Sequence, residues 1–280
     1  MAIQIFRQYP VINGFVQLPP NRVEDKTKYV VGNRKKNLFG TSLSNIKGFG
    51  GNGAGWNIVT NEEFVPTVVS DVLKITNSGV GNTSNAFWNT SKMFTAKDFT
   101  IGFTYTGQNN GADGVAFVVQ DDPNGINAIG ATGSGLGYRN ITRSFAYGLN
   151  IFTTSGTDIS TSGDSFGFTV PGSVNLRNTN PKNVTITYDP VAFTITENII
   201  DTVTLAEYTK THSNINLTTI IGNDQAYYGF TGSTGGTDAN QTISNFVINM
   251  NGVGGLDDTL NRDVIIPKNA EYFEFLAYNV

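Results

Sequence analysis

The chain has 280 residues, of which 39% are hydrophobic and 11% aromatic, so it is long enough to bury a large core. Its net charge of −4 argues against nucleic-acid binding, and the absence of cysteine excludes disulfides and zinc–thiolate sites. No window approaches the ~20 apolar residues of a membrane-spanning helix, so we expect no membrane insertion. Charged residues make up only 14%, and the abundance of Gly, Asn, Thr and Ser favours many short strands joined by turns.

Three zones follow one another along the chain. Residues 1–37 are predicted to form an N-terminal arm, which is interrupted by Pro19 and Pro20. Residues 38–250 are predicted to form the body of the protein. Residues 251–280 are predicted to form a glycine hinge followed by an aromatic C-terminal tail, EYFEFLAYNV.

The body shows the alternation of apolar and polar residues that is typical of half-buried strands. The pattern is clearest in Phe99–Tyr105, Val184–Tyr188 and Phe193–Ile195, where the apolar residues share one face. The second and third segments are separated by Asp189-Pro190, so we interpret them as a hairpin. Val115–Val119 is apolar on both faces and is typical of a central strand. About a dozen such strands predict an all-β fold, a single large sandwich of antiparallel sheets.

The most distinctive stretch runs from Gly111 to Tyr138. It begins with a tight turn around Asp113 and continues through the apolar strand to a second turn. It ends in a glycine-rich loop, Gly133–Gly137. The Asp113 carboxylate and this loop are expected to meet at a cleft.

Five segments, in this order, resemble the legume-type (L-type) lectin domain of the concanavalin A-like family. They are NAFWNTSKMF (85–94), Ala112-Asp113-Gly114, VVQDDPNGINAIGATGSGLGY (118–138), SFAYGLNIF (144–152) and AYYGFTGSTGGTDANQTISNFVI (226–248). The resemblance covers roughly residues 38–250. It implies a jelly-roll sandwich of antiparallel sheets, with the N- and C-terminal arms outside it. Because a fold does not fix a function, the implied site has to be considered residue by residue.

The resemblance implies a carbohydrate site. After a cis peptide bond from Ala112, Asp113 would accept hydrogen bonds from sugar hydroxyls, and the glycine loop would donate a backbone N–H. Phe152 would stack on the apolar face of the sugar, and the loop 232–238 would form the rim. The implied carbohydrate-binding residues are Asp113, Gly135, Leu136, Gly137, Phe152, Gly235, Gly236 and Thr237.

Each of these residues also has a purely structural interpretation, and the sequence leaves both open. Asp113 can satisfy the amides of its own turn. The glycine loop can be needed only for a sharp reversal of the chain. Phe152 can be a core residue.

The segment that resembles the family's metal-binding strand departs from the family pattern. Where the family has a Glu, an Asp, a backbone carbonyl and an Asn, this chain has Gly148, Asn150, Phe152 and Thr154. No histidine follows nearby, and we interpret the single histidine, His212, as a surface residue. A transition metal is therefore not expected. One weakly bound Ca²⁺ remains open, and its candidate ligands are Asn150, Phe152, Thr154 and Asp158. With one carboxylate this is a poor cage, since Ca²⁺ takes roughly 6–8 oxygens and prefers charged ones.

An enzyme is not expected. The predicted concave sheet carries no pair of carboxylates for glycoside hydrolysis, and the chain has no cysteine nucleophile and no histidine close to a serine. We therefore interpret the chain as a non-catalytic carbohydrate-binding protein. The alternative is a structural assembly protein, which would use the sandwich as a rigid block and the arms as connectors.

The expected partners are glycans and other subunits of an oligomer or larger assembly, contacted through the two arms. We expect the protein outside the cell or on the surface of a virion, although the N-terminus shows no signal-peptide pattern.

Overall fold

The computed structural model describes residues 3–8, 11–12, 15–16, 45–61, 63–250 and 273–278. The chain divides into two compact units, and each is described by itself. One unit comprises Met1–Ser42 together with Gly252–Val280, and the other comprises Leu43–Asn251. None of the described helices is long and apolar enough to cross a membrane.

The first unit brings the two ends of the chain together. Strand β1 (Ile3–Gln8) pairs antiparallel with β18 (Phe273–Tyr278), in register from Ile3↔Tyr278 to Gln8↔Phe273. Strand β2 (Val11–Ile12) pairs with β3 (Phe15–Val16). The Pro19-Pro20 break and the predicted glycine hinge lie outside the described residues. The sequence patterns predict two separate arms, whereas β1 of the first and β18 of the second pair in one two-stranded sheet.

The second unit is an antiparallel β-sandwich. Its strands are β4 (Asn45–Lys47), β5 (Trp56–Thr60), β6 (Thr67–Val69), β7 (Val72–Thr76), β8 (Ser84–Phe94), β9 (Phe99–Thr106), β10 (Gly114–Gln120), β11 (Ser144–Asn150), β12 (Gly156–Thr161), β13 (Lys182–Asp189), β14 (Thr194–Asp201), β15 (Glu207–Ser213), β16 (Gln225–Ser233) and β17 (Gln241–Met250). A six-stranded sheet has the order β12-β11-β10-β16-β8-β5. The eight-stranded sheet has the order β15-β14-β13-β9-β17-β7-β6, and β4 pairs with β17.

Helical structure is confined to four short segments among the described residues. They are Gly50–Gly53, Leu217–Ile221 and the two 3-10 turns Gly125–Asn127 and Gly133–Gly135. The second 3-10 turn lies within the glycine loop that the sequence singles out.

The core lies between the two sheets and follows the predicted alternation. The inward residues of β9 (Phe99, Ile101, Phe103 and Tyr105) are all buried, as predicted. β10 is buried along its whole length, which confirms it as a central strand. The ring of Phe230 on β16 lies 5.2 Å from that of Phe103 on β9 and 5.4 Å from that of Phe246 on β17. These edge-on contacts tie one sheet to the other.

The predicted hairpin is confirmed, but one of its residues was misplaced. β13 and β14 pair from Lys182↔Asp201 to Asp189↔Thr194. The prediction that Phe193 shares a buried face with Ile195 is wrong. Phe193 lies in the connecting turn with φ 52°, and its side chain is 42% exposed. The left-handed conformation needed to reverse the chain turns this ring away from the core.

The interpretation of His212 as a surface residue is also wrong, because its side chain is only 12% exposed. Its Nε2 lies 2.9 Å from Oε1 of Glu197, a fully buried carboxylate on β14. The Tyr147 hydroxyl on β11 donates to the other oxygen, Oε2, at 2.7 Å. Glu197 therefore links the sheets through a polar contact. The sequence hides this contact because the three residues lie on three strands.

Candidate functional site

Three segments meet at one end of β10, the central strand of the six-stranded sheet. Gly114, the first residue of β10, pairs with Asn150 at the end of β11 and with Ser233 at the end of β16. The turn before β10, the loop after β11 and the loop after β16 therefore lie side by side. These segments contain Asp113, Phe152 and Gly235, so the fold brings together residues that the sequence assigns to one site.

The main chain of Asp113 is tied to both neighbouring segments. The peptide bond between Ala112 and Asp113 is cis, as the resemblance implies. The Asp113 N–H donates to the Ser233 carbonyl at 3.0 Å, and the Asp113 carbonyl accepts from the Ile151 N–H at 2.8 Å. The backbone on either side of the carboxylate is thus fixed to the ends of β16 and β11.

The Asp113 side chain is buried and lacks a partner. The residue is 5% exposed, and its Oδ2 has no hydrogen bond to any described residue. Burial raises the pKa of this carboxyl to about 6. The interpretation that Asp113 satisfies the amides of its own turn does not hold for Oδ2. A buried carboxylate oxygen without a donor is costly, and such a group commonly marks a functional site.

Two glycines lie beside this oxygen. A Cβ placed on Gly235 would lie 3.1 Å from Asp113 Oδ2, and one placed on Gly133 would lie 3.9 Å from it. The two loops are joined to each other, because the Gly133 N–H donates to the Thr234 carbonyl at 3.0 Å and Ser233 Oγ donates to the Gly133 carbonyl at 2.6 Å. The carboxylate is therefore framed by backbone rather than by side chains.

Most amides of the glycine loop are used within the protein. The N–H groups of Gly135, Leu136 and Gly137 donate to the carbonyls of Thr132, Gly133 and Ala131, respectively. Leu136 is fully buried, with φ 53°.

Ser134 differs from its neighbours. It is exposed, and no described residue accepts from its N–H. The sequence assigned the donated N–H to this loop but could not identify Ser134, because the choice depends on how the 3-10 turn closes.

The rim loop after β16 contains Gly235, Gly236 and Thr237. The Gly235 N–H donates to the Thr237 carbonyl at 3.1 Å, and the space beside Gly236 is open, with no heavy atom within 4 Å of a Cβ placed there. The rim loop is supported by residues 79–83, a segment that sequence reasoning missed. Within that segment the Asn82 N–H donates to the Gly235 carbonyl at 3.0 Å. No pattern in residues 79–83 by itself indicates this pairing.

Phe152 follows β11 and lies two residues after Asn150. Its side chain is 36% exposed, so the alternative that it is a core residue is wrong. Its neighbour Ile151 donates to the Asp113 carbonyl, which places the Phe152 backbone beside the carboxylate turn. An exposed ring in this place is available for stacking.

The candidate metal ligands do not converge. The Asn150 Nδ2 donates to the carbonyls of Phe152 at 2.9 Å and Thr154 at 2.8 Å, whereas Asp158 Oδ2 accepts from the Gly167 N–H at 2.6 Å. Among residues 46–61 and 63–250, no three His, Cys, Asp or Glu side chains are grouped so that they could share a metal ion. The residues present therefore do not fit a Ca²⁺ cage.

Comparison with solved structures gives the fold. Lectin II from Ulex europaeus superposes with a TM-score of 0.64 over 75% of this chain and 100% of its own, at 15% identity. Arcelin-5, a lectin-like defense protein from Phaseolus vulgaris, gives a TM-score of 0.59 over 70% of this chain and 92% of its own, at 16% identity. The metal-free form of lectin I-B4 from Griffonia simplicifolia gives a TM-score of 0.60 over 70% and 93%, at 15% identity.

At the level of sequence, no protein-family model and no curated protein matches the chain. The structural likeness spans nearly the whole length of each of these lectins, and the strands fall in two antiparallel sheets as predicted. The chain therefore has the concanavalin A-like β-sandwich fold of the legume-type lectins.

Proposed function

We propose that this protein is a non-catalytic carbohydrate-binding protein whose site lies at the end of β10. One observation carries the proposal: Asp113 Oδ2 is buried without a hydrogen-bond donor, and the residues closest to it on the two neighbouring loops are glycines. A donated sugar hydroxyl would satisfy this oxygen. The remaining parts of the site are the Ser134 N–H, the ring of Phe152 and the rim residues Gly235, Gly236 and Thr237.

The chemistry of these groups suits a sugar. A hydroxyl that donates to a carboxylate forms a charge-assisted hydrogen bond, and it would relieve an unsatisfied group that costs about 1–3 kcal/mol. An aromatic ring such as Phe152 can cover the apolar C–H face of a pyranose. Together these groups can contact both sides of one sugar: the carboxylate and the backbone donor bind its hydroxyls, and the ring contacts its apolar face.

Solved structures with the same fold support this choice of ligand. They include lectin II from Ulex europaeus complexed with galactose, with a TM-score of 0.62 at 15% identity. They also include a lectin from Bauhinia forficata in complex with GalNAc, with a TM-score of 0.61 at 14% identity. The proteins compared are lectins and lectin-like proteins, which also fits a protein without catalytic activity.

A glycan array tests the proposal with three proteins: the wild type, Asp113→Asn and Asp224→Asn. Asp224 is exposed and directly precedes β16, at the opposite end of the strand from the site, so Asp224→Asn is the matched control. We expect glycan binding by the wild type and the control, and at least a tenfold loss for Asp113→Asn. No binding by any protein would sink the proposal, and unchanged binding by Asp113→Asn would move the site elsewhere.

The alternative, a structural assembly protein, is favoured by the pairing of the chain ends. β1 and β18 form a two-stranded sheet with no further strand among the described residues, and a two-stranded sheet is marginal alone. Each outer edge could accept a strand from another subunit. Deleting residues 256–280 removes β18 and should abolish assembly in light scattering. A truncated protein that assembles like the wild type would count against this role.

We further propose that the protein acts outside the cell or on a virion surface. The support is the proposed ligand, since complex glycans are displayed on cell surfaces. Immunogold labelling of intact particles or cells tests this directly, and label that appears only after permeabilisation would refute it.

A further inference from the structure

We propose that the Asn150 amide organises the loop after β11, at the place where the family strand carries its metal ligands. It closes the loop after β11 by hydrogen bonds and thereby positions the Asp113 turn without a cation. The consequence for sugar binding rests on the proposed function. The closed loop itself is a property of the protein without ligand and can be tested separately.

Asn150 makes three hydrogen bonds to the loop that follows it. Its Nδ2 donates to the Phe152 carbonyl at 2.9 Å and to the Thr154 carbonyl at 2.8 Å, and its Oδ1 accepts from the Phe152 N–H at 3.1 Å. The residue is 7% exposed. The orientation of the amide is fixed by this pattern, because a flipped amide would face two carbonyl oxygens with its own oxygen.

The same contacts oppose a cation at this position. The Phe152 carbonyl is the oxygen that the resemblance assigns to the metal, and Ca²⁺ would approach it to about 2.3–2.6 Å. The partly positive NH₂ group of Asn150 already lies against that carbonyl. A cation there would face a donor rather than a ligand, and the one nearby acidic candidate, Asp158, is bonded to the Gly167 N–H.

The place where the family strand carries a glutamate is filled by an aromatic ring. A Cβ placed on Gly148 would lie 2.8 Å from the ring of Phe166. This ring packs 5.4 Å from that of Tyr138 and 5.0 Å from that of Phe168, and it contacts the buried apolar cluster around Trp88. Apolar packing thus occupies the space beside Gly148.

The hydrogen-bonded loop reaches the candidate sugar site through one residue. Ile151 lies between Asn150 and Phe152, and its N–H donates to the Asp113 carbonyl at 2.8 Å. Asn150 also pairs with Gly114 in the ladder between β11 and β10. Asn150 is therefore a positioning residue that acts on Asp113 and Phe152 through the backbone.

Asn150→Asp tests this role, because it keeps the shape of the side chain and sets carboxylate oxygens against two carbonyls. In buffer with EDTA we expect Tm to fall by about 5–10 °C. We also expect faster amide hydrogen exchange at Ile151 and Phe152 well below Tm, while the exchange of β13 and β14 stays slow. An Asn150→Asp protein with the Tm and the loop exchange of the wild type would overturn the proposal.

Asn175→Asp is the matched control. Asn175 is an exposed loop residue whose Oδ1 accepts from the Arg177 N–H at 2.9 Å, and a carboxylate keeps that bond. We expect no change in Tm or in loop exchange for this variant. An equal loss in the control would show that the effect of Asn150→Asp is not specific to the loop, which would overturn the proposal.

The wild type in EDTA, in Ca²⁺ and in Mn²⁺ gives the second test. We expect the same Tm and the same loop exchange in all three, and no stoichiometric metal by mass spectrometry. A Tm or loop protection that falls in EDTA and returns with either ion would overturn the proposal. Glycan affinity should also be equal in EDTA and Ca²⁺. An absence of glycan binding in both buffers counts against the proposed function only, because Tm and exchange still judge the role of Asn150.

Discussion

Asp113→Asn should stabilise the protein by up to about 2 kcal/mol at neutral pH, while it weakens glycan binding at least tenfold. Burial raises the pKa of Asp113 from 3.8 to about 6, and no charged neighbour contributes to this shift. At about 1.4 kcal/mol per pKa unit, this rise corresponds to a cost of ~3 kcal/mol for the ionised folded protein. An asparagine carries no charge, so it removes this cost. A buried NH₂ group without an acceptor costs about 1–3 kcal/mol, so the net gain is at most about 2 kcal/mol.

The sign of the pH dependence follows from the direction of the shift. The folded protein holds the Asp113 proton more tightly than the unfolded chain, so the free energy of unfolding falls as pH rises from about 4 to about 6. Below about pH 4 both states are protonated and the cost is absent. The stability advantage of Asp113→Asn over the wild type should therefore grow between these two pH values and stay constant above them.

Urea unfolding followed by the fluorescence of Trp56 and Trp88 measures this difference at a series of pH values. A gain of about 2 kcal/mol, the upper bound, would raise Tm by about 4–8 °C for a domain of this size. Asp224→Asn, at an exposed position, should match the wild type throughout. If the stability difference between Asp113→Asn and the wild type is the same at every pH, the pKa of Asp113 is not raised in the folded protein.

Two further predictions concern the candidate sugar site, and a third concerns the buried Glu197 contact between the sheets. Glycan affinity should fall as pH drops through about 6, because the protonated Asp113 carboxyl is a weaker acceptor. Calorimetric titration across this range would show a pH-independent affinity if Asp113 plays no part. Gly235→Ala should reduce glycan affinity at least tenfold, since its Cβ would lie 3.1 Å from Asp113 Oδ2. Gly236→Ala faces open space and should bind nearly as the wild type does, so equal affinities of the two variants would contradict the placement of the sugar. Tyr147→Phe should cost about 1.5–3 kcal/mol in urea unfolding, because it removes a donor to the buried Glu197 carboxylate, and a loss below ~0.5 kcal/mol would argue against that contact.

The sandwich could be predicted from local signals in the sequence. Alternation in β9 and β13 and the apolar run of β10 each reflect one strand's own burial, so the sequence contains that information. The order of the five lectin-like segments then fixed the fold class. The burial of Phe193 was predicted wrongly because the alternation continues into a turn. There the backbone conformation rather than the pattern decides which way a side chain points.

The details of the site depend on contacts between distant segments. Three features arise only when three loops meet: the Asp113 oxygen without a donor, the unpaired N–H of Ser134 and the support from residues 79–83. The exchange of metal ligands for an amide and an aromatic ring is visible in the sequence only as missing carboxylates. Only the placed side chains show that Asn150 and Phe166 occupy the region where the family carries its metal ligands. The pairing of β1 with β18 joins opposite ends of the chain, which no local pattern indicates.

The pKa of the Asp113 carboxyl, measured by carbon NMR with and without a glycan identified on the array, tests whether Asp113 is the sugar acceptor. We expect a pKa of about 6 in the free protein, because the carboxylate is buried without a donor. We also expect the pKa to fall when a sugar binds, because donated hydroxyls stabilise the ionised form. A pKa near the ordinary aspartate value in the free protein, or one that a bound glycan leaves unchanged, would contradict the assignment of Asp113 as the sugar acceptor.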